Sequence, residues 1–158
     1  MNVLAEIKVS YNREGMEREK ITSCRIAYNI ILDNWNKDTL ELQEEFKVLL
    51  LDRGNKVLGI YPLSKGGLSG TVVDVKLLFA VSLKCNSSCI IICHNHPSGN
   101  LAPSDADIKL TEKIIKCAEL LDIEMIDHLI ITKNGFYSFT NSRAFLNESM
   151  KLNRCKKE

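Results

Sequence analysis

The run Cys89-Ile90-Ile91-Ile92-Cys93 constrains the fold more than any other stretch of the chain. Five successive apolar residues are too short for an ordinary helix and offer no polar face to water, so the run reads as a strand buried on both faces. Around it, other elements take the remaining periodicities. Residues 6–11 alternate as a short strand and are followed by a charged linker from Arg13 to Lys20. Between Thr22 and Trp35, apolar residues recur with helical spacing. Residues 44–51 and 56–63 read as two strands joined by the turn Asp52-Arg53-Gly54-Asn55. A glycine-rich loop, 66–70, leads into a helix over 72–84. A second clear helix spans 104–121, strands follow near 124–132 and 135–139, and residues 140–158 form a polar tail with a basic cluster. Strands interleaved with helices predict a two- or three-layer α/β domain with a mixed sheet.

Composition narrows the functional classes. The 21 basic residues against 20 acidic ones leave a net charge of +1, which disfavours a chain whose main task is gripping phosphate backbones. No stretch reaches the roughly 20 apolar residues of a membrane span, and the N-terminus lacks the pattern of a signal peptide. Six cysteines at 24, 85, 89, 93, 117 and 155 sit mostly in apolar runs, as reduced thiols of a cytoplasmic protein do. The spacing of Cys85, Cys89 and Cys93 is not the paired C-x-x-C of a structural zinc site, and core packing accounts for them.

The chemistry concentrates where the apolar run ends. Two of the three histidines, His94 and His96, flank Asn95 at the strand end. Alternate residues of a strand share a face, so both rings project to one side while Cys93 points away. Neutral imidazoles are good zinc ligands, and a catalytic zinc takes three protein ligands, leaving one position for water. Asp107 supplies the third donor. Ten residues separate it from His96, and it heads the helical stripe Leu110, Ile114, Cys117 and Leu121, where an unpaired carboxylate would be costly. The stretch Ser104-Asp105-Ala106-Asp107 also reads as a capping box, which would explain Asp107 without any metal.

His94-Asn95-His96-Pro97 followed by Ser104-Asp105-Ala106-Asp107 resembles the JAMM (MPN+) zinc-hydrolase motif in its bacterial RadC-like form. HNHPSGN at 94–100 and Asp127-His128-Leu129-Ile130-Ile131 are both similar to that group, and the resemblance covers about residues 22 to 142. It implies a single MPN (JAB) domain over 22–142, between an N-terminal strand and linker (1–21) and a polar basic tail (143–158). The implied fold is cytidine-deaminase-like, a mixed sheet flanked by helices. It further implies one zinc ion per chain on His94, His96 and Asp107, an oxyanion-stabilising role for Ser104, and a general base from a glutamate on an earlier strand. Glu44 and Glu45 are the candidates. Glu44 shares strand parity with Phe46, Val48 and Leu50, whereas Glu45 shares it with Lys47 and is expected to face solvent. The family's glutamate also stands two residues before the Phe, which selects Glu44. His128 is either a core histidine or a residue that orients a ligand, and Asp127 carries the same two readings.

The expected function is therefore zinc-dependent hydrolysis of a peptide or isopeptide bond in a peptide or protein substrate. The alternative is a non-catalytic module, tied to DNA repair or mobile-element biology, that keeps the metal for stability. A nucleobase deaminase would need H-x-E with P-C-x-x-C and a zincin H-E-x-x-H; neither pattern occurs. Longer RadC-like proteins carry a helix-hairpin-helix region ahead of this domain. The 21 residues before the first expected helix are too few for one, so direct DNA binding is not expected. An edge strand at either end of the sheet could pair in a homodimer.

Overall fold

A computed structural model describes residues 17–67 and 71–142, with residues 5, 8, 10–12 and 15 ahead of them. The apolar run becomes the strand β3 (Cys89–Asn95), buried at every position, at the centre of a five-stranded sheet. Strands β1 (Glu45–Leu51), β2 (Val57–Lys65), β4 (Glu124–Thr132) and β5 (Gly135–Ser138) complete it in the order β2-β1-β3-β4-β5. Only β3 and β4 run parallel, and the other neighbours are antiparallel, so the sheet is mixed.

Alternation on the strands divides the core in two. Phe46, Val48, Leu50, Ile90 and Ile92 face helices α2 (Val75–Lys84) and α3 (Asp105–Leu120). Leu49, Leu51, Ile91, Cys93, Leu129 and Ile131 face α1 (Cys24–Asp33), with Trp35 just beyond it. One helix, the sheet and two helices thus make three layers. The parallel β3–β4 pair needs a crossover, and α3 supplies it. The β1–β2 hairpin turns through Asn55 at φ 59°, while Asp52 Oδ1 accepts from the N–H groups of Gly54 and Lys56.

Three expectations need correction. Glu45 and Lys47 do not face solvent: α1 and Trp35 cover that side of β1. The Lys47 ammonium sits 4.1 Å from the centre of the Trp35 ring and 3.8 Å from Glu45. Glu45 and Lys47 suggested a wet face, but Leu49 and Leu51 share their parity, and the unbroken run Val48-Leu49-Leu50-Leu51 is the sign that both faces of β1 are covered. Next, the buried line of α3 runs through Thr111, Ile114, Ile115 and Ala118 rather than ending at Leu121, which is exposed. Leu110 and Cys117 flank that line and pack against its edge. Finally, α2 starts at Val75 because Asp74 caps it, accepting from the Leu77 N–H. Residues 6, 7 and 9 of the strand expected over 6–11, the loop tip 68–70, the tail from 143 and Cys155 lie outside the described residues, and residues 8, 10 and 11 are not in a strand.

Candidate metal centre

The site forms where three chain segments meet at the carboxyl end of β3. His94 occupies the penultimate position of that strand and His96 follows its end, so both rings project toward the α2/α3 layer. Phe46 on β1 lies opposite His94 in register and stacks on its ring, with centroids 6.0 Å apart and planes 8° apart. The turn after His96 closes through Gly99 at φ 80°, whose N–H donates to the His96 carbonyl. It returns the chain to the first turn of α3, where Asp107 waits.

Both readings of Asp107 hold together. Ser104 caps α3: the Asp107 N–H donates to Ser104 Oγ at 3.2 Å. The Ser104 N–H and Oγ–H both donate to Asp107 Oδ2, each at 2.7 Å. The capping box pins one carboxylate oxygen and leaves Oδ1 facing His94 Nε2 at 3.2 Å. The His96 Nε2 lies 3.0 Å from that of His94 and 3.7 Å from Asp107 Oδ2. One donor atom from each of the three residues fits within a 4.8 Å cluster, a group able to hold a metal ion.

Hydrogen bonds behind the rings fix which nitrogens face the cluster. His96 Nδ1–H donates to the Asn100 carbonyl at 2.5 Å, which leaves its Nε2 as a bare lone pair. For His94 the chain is longer. The single hydroxyl proton of Thr111 goes to the Asp107 carbonyl at 2.6 Å. Thr111 Oγ1 therefore accepts from His128 Nδ1–H at 2.7 Å. A neutral His128 then accepts at Nε2 from His94 Nδ1–H, 2.8 Å away, and Nε2 of His94 is bare as well. His128 is fully buried, its ring stacked on Phe139 at 4.5 Å. Burial, then the nearby His94, hold its pKa well below the ordinary histidine value, which keeps it neutral.

Two bare imidazole nitrogens and a carboxylate oxygen thus converge, a set of acceptors at a spacing that a cation can bridge. Two nitrogens and one oxygen are a donor set that zinc takes readily. Electrostatics agree. Burial would raise the Asp107 pKa, but the His94 and His96 rings, which donate to it once a second proton sits on Nε2, and the Ser104 hydroxyl outweigh it and hold the carboxyl well below the usual range. The His96 pKa is raised, first by the bond that its ring makes to Asp107 once Nε2 is also protonated, with Glu44 adding a further push.

Glu44 immediately precedes β1, half-buried, its carbonyl accepting from the Gly66 N–H at 2.8 Å. Its parity places it on the face of Phe46 and His94, and its charge is felt at His96. Glu45 points to the other layer, where it accepts from the Thr39 hydroxyl at 2.8 Å and faces Lys47 and Lys65. Asp127 turns away from the cluster. It accepts from the N–H groups of His128 and Thr140 and from the Ser138 hydroxyl, tying β4 to the chain beyond β5. A cavity of about 800 Å³ lined by Arg18, Ile30, Leu49 and Ile60 lies on the α1 side, across the sheet from this chemistry.

Two contributors had gone unremarked in the sequence. Thr111 stands one helical turn after Asp107 on the buried side of α3, and a hydroxyl there needs a partner. Asn95 stands between the histidines just past the run expected to be buried on both faces; the strand extends through it, so its amide likewise has to be satisfied. Both signals were available as polar residues at buried positions.

Comparison with known proteins identifies the family. A UPF0758 protein of Flavobacterium johnsoniae is 44% identical over 130 residues, 82% of this chain and 56% of that protein. A UPF0758 protein of Porphyromonas gingivalis is 40% identical over 141 residues, 87% of this chain and 60% of that protein. The chain thus spans little more than half the length of these relatives. The profile of the RadC-like JAB domain matches residues 21–144, and the chain belongs to the RadC-like JAB domain family.

Proposed function

We propose that this domain is a zinc-dependent hydrolase of peptide or isopeptide bonds. The observation that carries the reading is the convergence of His94 Nε2, His96 Nε2 and an Asp107 oxygen, with a carboxylate, Glu44, on the same face. Zinc held there would supply a Lewis acid and lower the pKa of water toward about 7. The residues do the rest. Glu44 takes a proton from the attacking water and delivers it to the amine as the carbon–nitrogen bond breaks. The Ser104 hydroxyl turns from Asp107 toward the developing oxyanion, while its N–H keeps the carboxylate in place.

A domain that holds the metal only for stability is the second reading, and one observation favours it: the Ser104 proton is already engaged by Asp107. A peptide library incubated with zinc-loaded protein separates the two. Cleavage that disappears in Glu44→Gln while zinc stays bound supports the hydrolase, and no cleavage of any peptide or isopeptide by the wild type supports the stability role. Among the described residues no helix is long and apolar enough to cross a membrane. The edges β2 and β5 are where a homodimer would form.

A further inference from the structure

We infer that Asn95, the residue between the two histidines, is a positioning residue that holds Glu44 beside the metal centre. Asn95 is fully buried and projects to the face opposite His94 and His96. Its register partner on β1 would be Glu45, one step beyond the Phe46–His94 pair at which the β1–β3 ladder ends. Past that pair the two strands are joined by a side chain instead. The Glu45 N–H donates to Asn95 Oδ1 at 2.7 Å. Asn95 Nδ2 donates its two protons to the carbonyls of Leu40, at 2.7 Å, and Gln43, at 2.8 Å. The amide orientation is unambiguous, since a backbone N–H requires the oxygen and two carbonyls require the nitrogen.

These bonds enclose Glu44. They grip residue 43 before it and residue 45 after it, while the Gly66 N–H takes its own carbonyl. The segment from 36 to 44 contains no strand or α-helix. Gln43 Nε2 donates to the Gly66 carbonyl and the Thr39 hydroxyl to Glu45, each at 2.8 Å, and Leu40 packs in the core shared with β3, while the Asn95 amide supplies this segment's side-chain hydrogen bonds to β3. One residue of β3 thereby sets two positions at once. Its neighbours carry the imidazoles, and its own side chain fixes the carboxylate relative to them. The inference rests on the proposed role of Glu44 for its catalytic meaning, but the clamp itself does not.

Full-length Asn95→Ala, Glu44→Gln and the double variant, compared with wild type, test it through three readouts: zinc stoichiometry, amide hydrogen exchange and the visible spectrum of the cobalt(II)-loaded protein. In Asn95→Ala, exchange at the Glu45 amide should rise about tenfold or more, as loss of one buried hydrogen bond implies. The Val48 amide in the middle of β1 should be unchanged and zinc should remain bound. The cobalt spectrum should move as in Glu44→Gln, with no additional change in the double variant. Unchanged exchange at Glu45, a rise spread evenly over β1, or an equal spectral effect of Asn95→Ala with and without Glu44 would overturn the inference. Should Asn95→Ala not fold, the wild-type side-chain amide protons decide: slow exchange supports the clamp, and exchange at solvent rates refutes it. Absence of peptide cleavage alongside the expected exchange and spectral changes would reject the hydrolase reading alone.

Discussion

His128 Nε2 lies 2.8 Å from His94 Nδ1, and Thr111 holds the opposite nitrogen of the same His128 ring. Through that pair the Asp107 carbonyl, one turn back on α3, sets the tautomer of a histidine on β3. Two of the three proposed ligands are therefore coupled before any metal arrives. Thr111→Val keeps the shape and removes the hydroxyl. His128 is then free to carry its proton on Nε2, which places the His94 proton on the nitrogen that should bind metal. Zinc affinity measured by chelator competition should fall by about 10- to 100-fold, with the ring ¹⁵N shifts of His94 reporting the changed tautomer. An unchanged affinity would show that the tautomer is set elsewhere.

Ser104 serves both the helix and the carboxylate, so its removal should register without substrate. Ser104→Ala loses the cap, worth about 1 kcal/mol of stability, and one of the two bonds that pin Asp107 Oδ2. Urea unfolding of the metal-free protein should show that loss, and zinc titration should show a weaker site than wild type. If Ser104 acted on the substrate alone, both measurements would match the wild type.

Asp127 gives a pH signature of its own. Burial raises its pKa above the ordinary aspartate value, against the opposing bonds from Ser138, Thr140 and His128. In the window between the unfolded value, about 3.9, and the raised folded one, the folded state binds more protons. Stability contributed by this group is thus lost as pH rises through that window and is level above it. Asp127→Asn cannot titrate, so its stability relative to wild type should improve as pH climbs through the same window. Unfolding curves across mildly acidic pH measure the difference, and a relative stability independent of pH would contradict the assignment.

Much of this fold was legible because its central strand is so apolar. The run at 89–93 could only be a covered strand, and strand parity then sent His94 and His96 one way and Cys93 the other, as found. The spacing from Ser104 to Asp107 was legible as a cap and, separately, as part of a metal site, and the carboxylate's two oxygens let it serve as the one while being placed for the other. Parity read from Glu45 and Lys47 failed because the two charges outweighed Leu49 and Leu51 on the same face, the local trace of the layer that α1 adds. Asn95 and Thr111 were missed for another reason. Thr111 reaches the Asp107 carbonyl within one helical turn, but its ring partner is 17 residues away and the backbone partners of Asn95 are 50 to 55 residues away, so their polarity was legible and these distant pairings were not.

The central claim is that His94, His96 and Asp107 hold one zinc ion. Elemental analysis of the purified wild type beside His96→Ala and Asp107→Ala tests it most directly. Close to one zinc per chain in the wild type, lost from both variants while each remains folded, is the expected result. Wild-type protein that stays metal-free after zinc is supplied, or variants that retain the metal, would contradict it.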